Sequence, residues 1–135
     1  MLSNKKKGSK FEEEFAELLS RKGFWAHVIA PNPQDGSQPF DVQAQKHGKA
    51  YNFDCKTVEG YRFLLRRIEE NQEKAFTKLA SCGNHNNYFV FKRSDGSIWI
   101  TDAYFCISEK QAGLKSVEPG MMTIEEWIER ENNRR

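Results

Sequence analysis

The chain has 135 residues, 38% hydrophobic and 13% aromatic, and its 21 Lys+Arg nearly cancel its 19 Asp+Glu to leave a net charge of +2. This length and composition support one folded domain with a real core and exclude a disordered chain, while the charge argues neither for nor against nucleic acid. No apolar run approaches the roughly 20 residues that span a bilayer, and the basic start is followed by no apolar stretch of the kind a secretory leader needs.

Residues 1–135 are expected to form a single domain, with 1–7 as a flexible basic stub and 132–135 frayed. A first helix is expected over residues 9–22, because Phe11, Phe15, Leu18 and Leu19 share one face. Ser9 and Glu12 fit a capping box, and Gly23 is a natural stop. Residues 24–30 read as a strand ended by Pro31 and Pro33. Residues 39–45 and 50–56 read as two more strands, with a hairpin turn at His47, Gly48 and Lys49. Val42 and Ala44 then face away from Asp41, and Tyr51 and Phe53 face away from Asp54 and Lys56.

Residues 57–66 fit either a short strand or the approach to a helix. A second helix is expected over 68–81 from the spacing of Gln72, Phe76 and Leu79. Two strands at 88–91 and 97–101 flank Asp95-Gly96, a strong hairpin signal. A short helix over 102–110 and a final helix opened by Thr123 and Glu126 complete the chain. The sum is an α/β domain: an antiparallel meander, a crossover helix and further strands in one mixed sheet flanked by helices.

The informative constellation is small. Antiparallel strands joined by a short turn bring Asp41 and Asp54 together, and Asp54 and Lys56, two apart, share a face. Two such carboxylates make a hard oxygen site suited to Mg²⁺ or Mn²⁺. The Cys55 backbone carbonyl is a further candidate ligand, its thiol being directed to the core. Lys56 is placed to orient an attacking water and to offset phosphate charge. The bland alternative puts Asp41 and Asp54 at strand ends, with Lys56 in an exposed ion pair. The three cysteines, Cys55, Cys82 and Cys106, show no disulfide framework or CxxC zinc site, and they fit a reducing cytoplasm. No Cys/His pair lies close in sequence, so a thiol hydrolase is not favoured.

The ordered set formed by Lys7-Gly8 and Glu12, Gly23-Phe24, Ser37 and Asp41, Phe53-Asp54-Cys55-Lys56-Thr57, and Asn71-Gln72 resembles the PD-(D/E)xK nuclease superfamily. Within it the set is most similar to the Holliday-junction resolvases of the RecU type and their archaeal relatives, over about residues 7–111. The resemblance implies a restriction-endonuclease-like core and a metal-dependent endonuclease that leaves 5′-phosphate ends. It implies Asp41 and Asp54 as central metal ligands, Lys56 as the catalytic lysine, Glu12 completing the site, and Gln72 and Thr57 matching residues near the family's active site. Glu12 has a competing structural role as a helix cap, and Gln72 one as an ordinary polar helix residue. The sequence departs from the pattern in three ways: it has Asp where Glu is commoner at position 54, lacks a Thr-rich run before Asp41, and has neither the stalk nor the long N-terminal arm of the RecU type.

DNA contacts are expected from Lys5, Lys6, Lys7 and Lys10, whose alternative role is a solubilising tail, and from Thr57, Arg62, Arg66 and Arg67. Tyr61 and Phe63, beside these arginines, could stack on bases, but core packing is the expectation favoured for them. Phe89, Phe91, Trp99, Tyr104, Phe105 and Trp127 exceed what so small a core holds, which is compatible with an apolar homodimer surface. A resolvase implies such a twofold dimer, branched or four-way DNA as partner, no membrane, and DNA recombination or repair in the cytoplasm of a bacterial or phage-infected cell. The competing readings are a general repair or restriction-like nuclease, a catalytically silent DNA-binding protein of the same fold, and an unrelated α/β protein. The last would be supported by Asp41 and Asp54 lying far apart.

Overall fold

The computed structural model describes residues 4–31, 33–34, 38–120 and 122–134, with side chains in the first helix from Lys10 onward. In chain order the elements are α1 (Asn4–Arg21), β1 (Trp25–Val28), β2 (Val42–Lys46), β3 (Lys49–Val58), β4 (Phe63–Leu64), a 3₁₀ turn (Leu65–Arg67), α2 (Glu70–Ser81), β5 (Asn87–Arg93), β6 (Ile98–Asp102), α3 (Ala103–Gln111), β7 (Ser116–Val117), β8 (Met122–Thr123) and α4 (Ile124–Asn132).

Six strands form the main sheet in the order β1-β2-β3-β5-β6-β8, and β4 pairs with β7 in a separate ribbon. β1, β2 and β3 are the expected antiparallel meander. β3 and β5 run parallel, Asn52 opposite Asn87 through Val58 opposite Arg93, so α2 is the crossover. The turn between β2 and β3 uses only two residues, His47 at φ 53° and Gly48 at φ 75°. Two positive φ values in a row define the tight hairpin whose twist matches its strands, and this pins the register with Lys46 opposite Lys49.

Each face of the sheet has its own core. On one face Phe11, Phe15 and Leu19 of α1 and Ile124, Trp127 and Ile128 of α4 bury against Val42, Ala44, Tyr51 and Phe53. On the other, Phe76 of α2 and Ala103, Cys106 and Ile107 of α3 bury against Phe89 and Phe91, with Phe63 and Leu65 beside them. The alternation of odd residues in β3 thus places Tyr51 and Phe53 against α1 and α4. It leaves Asn52, Asp54 and Lys56 on the other face.

Several expectations are corrected. α1 starts at Asn4, so residues 4–7 are helical and Ser9 lies inside the helix, where it cannot be its N-cap. The first strand covers only Trp25–Val28. The second helix begins at Glu70, because Glu69 is extended, at φ −76° and ψ 154°. β7 and β8 have two residues each, too short to show a period of two. Tyr61 is fully solvent-facing, not core. Phe89, Phe91 and Trp127 are all completely buried, so the single-chain core accommodates them, and of the late aromatics only Tyr104 and Phe105 are well exposed. Thr123 and Glu126 form the expected capping box, Thr123 Oγ1 accepting from Glu126 N at 3.2 Å. Among the described residues no helix is long and apolar enough to cross a membrane.

Candidate active site

A cleft of about 260 Å³ opens where β3 outruns its neighbour β2, and Glu12, Gln38, Asp41, Asp54, Cys55, Lys56, Glu69 and Gln72 line it. The sheet register builds it. Asp41 stands one residue before β2, with its N–H donating to Phe53 O at 2.8 Å and its carbonyl accepting from Ile29 N at 2.8 Å. Its carboxylate Oδ2 accepts from Cys55 N at 2.7 Å. One hairpin therefore carries Asp41 and Asp54 into the same cleft, which rules out the arrangement with the two far apart.

Asp54 is 1% exposed. Its Oδ1 accepts from Gln72 Nε2 at 2.7 Å, and Lys56 Nζ lies 3.0 Å from its Oδ2. This ion pair is buried, contrary to the bland reading of an exposed one, since the Lys56 side chain is only 11% accessible. Gln72, in the first turn of α2, organises both partners. Its Oε1 accepts from Glu69 N at 3.1 Å and from Lys56 Nζ at 3.3 Å, while its amide nitrogen faces the carboxylate. The surroundings thus fix which way the amide points. Gln72 caps its helix and serves the cleft at once, which makes it more than an ordinary polar helix residue.

Burial first, and then the Asp41 carboxylate, push Glu12 up to about 7. Burial also raises Asp54 well above the usual carboxylate range, Lys56 opposes this, and Asp41 adds to it. Three acidic groups crowd one cleft, and each ionised neighbour makes the next ionisation harder. The Cys55 thiol packs against the core on the α1 side. Burial holds it well above its ordinary value, so it offers no thiolate nucleophile.

Among the described residues no three His, Cys, Asp or Glu side chains stand together as a ready-made metal cage. The donors nevertheless fit a hard divalent ion. They are all oxygens, and among the described residues Asp54 Oδ2 is a buried oxygen with no hydrogen-bond partner beyond its ion pair with Lys56. A cation in the cleft would offset the burial of these carboxylates and the repulsion from Asp41 that adds to it.

Beside Lys56 lies a second depression, about 560 Å³, lined by residues of the end of β3 and by Arg62, Leu64 and Arg67. Thr57 is on its wall. Arg62 donates to Ser116 Oγ at 2.7 Å and to Ser116 O at 2.9 Å, so much of its guanidinium is engaged in holding β7. Arg66 lines a separate groove with Leu64, Leu65, Lys110, Leu114 and Lys115. Lys10 is exposed on α1, and the side chains of Lys5, Lys6 and Lys7, like Ser37, lie outside the described residues.

Sequence reasoning missed Gln38 and Glu69. Gln38 donates to Ile29 O at 2.7 Å, and Glu69 enters the cleft because α2 starts beside it. The available signal for Glu69 was its place three residues before Gln72, the spacing of a helix cap. Also missed was an amide ladder next to Asp54: Gln43 donates to Asn52 Oδ1 at 2.9 Å, Asn52 to Asn87 Oδ1 at 3.0 Å, and Asn87 to Asn84 O at 2.8 Å.

A mixed sheet whose antiparallel meander and crossover helix converge on Asp41, Asp54 and Lys56 is the architecture of the restriction-endonuclease-like class. The family model described as archaeal Holliday junction resolvase (Hjc) matches residues 3–132, and the chain belongs to that family. The crossover junction endodeoxyribonuclease Hjc of Methanocaldococcus jannaschii is 30% identical over 74 residues, which are 55% of this chain and 52% of that protein. The chain thus spans about half the length of this curated relative. The Hjc of Archaeoglobus fulgidus, described as a Holliday junction resolvase from an archaeal hyperthermophile, shares the fold with a TM-score of 0.64 at 16% identity, over 91% of this chain and 96% of that one.

Proposed function

We propose that this protein is a divalent-metal-dependent endonuclease that hydrolyses phosphodiesters in branched DNA, with four-way junctions as its main substrate. The observation that carries this reading is the meeting of Asp41, Asp54 and Lys56 in one cleft with Glu12 and Gln72, in a chain of this family. A DNA-binding protein without catalysis has no use for a buried, destabilising set of carboxylates around a buried lysine.

Asp41, Asp54, the Cys55 carbonyl and Glu12 would hold Mg²⁺ or Mn²⁺. The ion would supply Lewis-acid stabilisation of phosphoryl charge and a water of lowered pKa. Lys56 brings its ammonium to the edge of the cleft, where it orients the attacking water and offsets charge on the phosphate. Gln72 keeps Lys56 and Asp54 in register with each other. Thr57, Arg62 and Arg66, with Lys10 and the N-terminal lysines, would contact the DNA backbone. Two symmetric nicks in a four-way junction require two such sites, hence a twofold homodimer.

The test is cleavage of labelled four-way junction, duplex and single-stranded DNA with Mg²⁺, Mn²⁺ or EDTA. Paired symmetric nicks in the junction alone, lost with EDTA, are expected. Equal cutting of all substrates would favour a general nuclease, and no cutting by folded protein a binding role.

The crowded carboxylates also predict a pH effect on stability. Glu12 titrates at an ordinary 4.5 when unfolded and about 7 when folded, so the folded state holds its proton more tightly. Its contribution is fully present below pH 4.5 and lost as pH rises to about 7. Metal-free melting temperatures should fall across that window, and less so in Glu12→Gln. Added Mg²⁺ should raise the melting temperature more at pH 7 than at pH 5, because the ion binds deprotonated carboxylates. A metal-free profile flat from pH 4.5 to 7 would contradict the crowding.

A further inference from the structure

β2 stops pairing at Val42 opposite Phe53, whereas β3 runs on to Val58, paired there among the described residues with β5 alone. The bared edge of β3 is the edge on which Lys56 depends, and two side chains take the place of the missing strand. Asp41 Oδ2 accepts the Cys55 N–H at 2.7 Å. Two residues further, on the same edge by the strand period, Arg67 Nη1 donates to Thr57 O at 2.9 Å. The same guanidinium lies over the fully buried ring of Phe63, 5.4 Å from its centroid. The Arg67 carbonyl, at the end of the 3₁₀ turn, accepts from Lys56 Nζ at 3.3 Å. Residue 67 therefore holds both ends of the same short path: its side chain grips the backbone next to Lys56, and its main chain receives the Lys56 ammonium.

We propose that Arg67 is a positioning residue for Lys56, tying the end of β3 to the 3₁₀ turn, and not a DNA-phosphate contact. The proposal rests on the nuclease reading only for its kinetic consequence. Lys56 has three acceptors from three elements: Asp54 of β3, Gln72 of α2 and the Arg67 carbonyl. The third depends on where the 3₁₀ turn sits; the buried Leu65 and its N–H bond to Lys115 O anchor the start of that turn, and the Arg67–Thr57 bond ties its end to the strand. A planar guanidinium can lie on Phe63 and donate sideways to a carbonyl at once, whereas an ammonium is a point charge on a flexible stem. A displacement of about 1 Å at a catalytic group can cost about 100-fold in rate.

The experiment compares wild type, Arg67→Lys and Arg67→Ala on a four-way junction. The expected result is a kcat lower by about tenfold or more in both variants. KM should stay within about twofold, and the slope of log Kd against log salt, measured in EDTA, should be unchanged. A phosphate contact makes the opposite forecast: Lys keeps kcat, and Ala lowers the slope by about 0.9. Either of those results would overturn the proposal. If Arg67→Ala does not fold, Arg67→Lys alone decides, since it keeps the charge. A readout independent of cutting is reductive methylation of Lys56 followed by mass spectrometry. The 11%-accessible side chain should react faster in both variants, and an unchanged rate would overturn the proposal. Should folded wild type cut no DNA, the nuclease reading falls, while methylation and salt slope still decide the role of Arg67.

Discussion

Replacing Asp54 by Asn should lower cleavage by roughly 10³-fold or more while leaving the protein folded and its grip on junction DNA equal or tighter. The three effects have one origin. Asp54 is 1% exposed, and burial works against its charged form, so the fold carries that carboxylate at a cost. Asn keeps the shape and the oxygen that accepts from Gln72 Nε2 at 2.7 Å. It removes a negative charge beside Asp41 and Glu12, which relieves their mutual repulsion, and it takes away one of the carboxylates proposed to hold a cation. DNA phosphates then meet one charge less, so binding in EDTA does not weaken. Lys56 keeps two acceptors, Gln72 Oε1 and Arg67 O, and reaches the cleft, so it is not stranded. Cleavage with Mg²⁺, junction affinity in EDTA and a melt at pH 7 check the set. Cleavage within tenfold of wild type would remove Asp54 from the catalytic machinery. A melting temperature lowered by more than a few degrees would show that its charge stabilises the fold.

The carboxylates were legible for a local reason. A two-residue turn fixes the β2–β3 register, and a period of two then decides which residues share a face, so Asp41, Asp54 and Lys56 could be placed together from spacing alone. Gln72 was legible from the resemblance and Phe76 from its helical stripe. The rest of the site depends on contacts far apart in sequence. Glu12 matched a helix cap because Ser9 stands three residues before it, whereas the helix already runs from Asn4, so that spacing lies inside the helix and marks no start. Glu69 and Gln38 join the cleft through the placement of α2 and the loop before Asp41; the cap spacing of Glu69 and Gln72 marks a helix start but not a place in the cleft, and no local pattern encodes Gln38. Tyr61 and Phe63, two apart in a short irregular segment, have opposite fates. Phe63 pairs with Val117 of β7, a strand too short to be foreseen, while Tyr61 pairs with no strand among the described residues. The aromatic surplus was misjudged for a similar reason: counting residues does not reveal that a sheet covered on both faces has two cores to fill.

The largest stability effect should come from a residue far from the chemistry. Trp127 of α4 is 1% exposed and its ring meets four others: Phe24 at 5.7 Å, Tyr51 at 5.4 Å, Phe53 at 5.7 Å and Tyr88 at 5.3 Å between centroids. Trp127→Ala should cost about 3–5 kcal/mol, a large share of the roughly 5–15 kcal/mol that holds a domain together. Melting should fall by roughly 10–25 °C. Trp25→Ala is the control: that ring is 66% exposed on the edge strand β1, and its loss should change stability by less than about 1 kcal/mol. The loss at Trp127 should also reach the cleft. Phe53 and Asp54 are neighbours on β3 facing opposite sides of the sheet, so the helix that clamps Phe53 from below sets the strand that presents Asp54 above. The same helix is tied to β3 a second time, by Tyr51 Oη donating to buried Glu131 at 2.9 Å. Trp127→Ala should therefore cut junction DNA more slowly than wild type even at temperatures where circular dichroism shows it folded, whereas Trp25→Ala should not. Full cleavage by folded Trp127→Ala would show that β3 holds its catalytic face without support from α4.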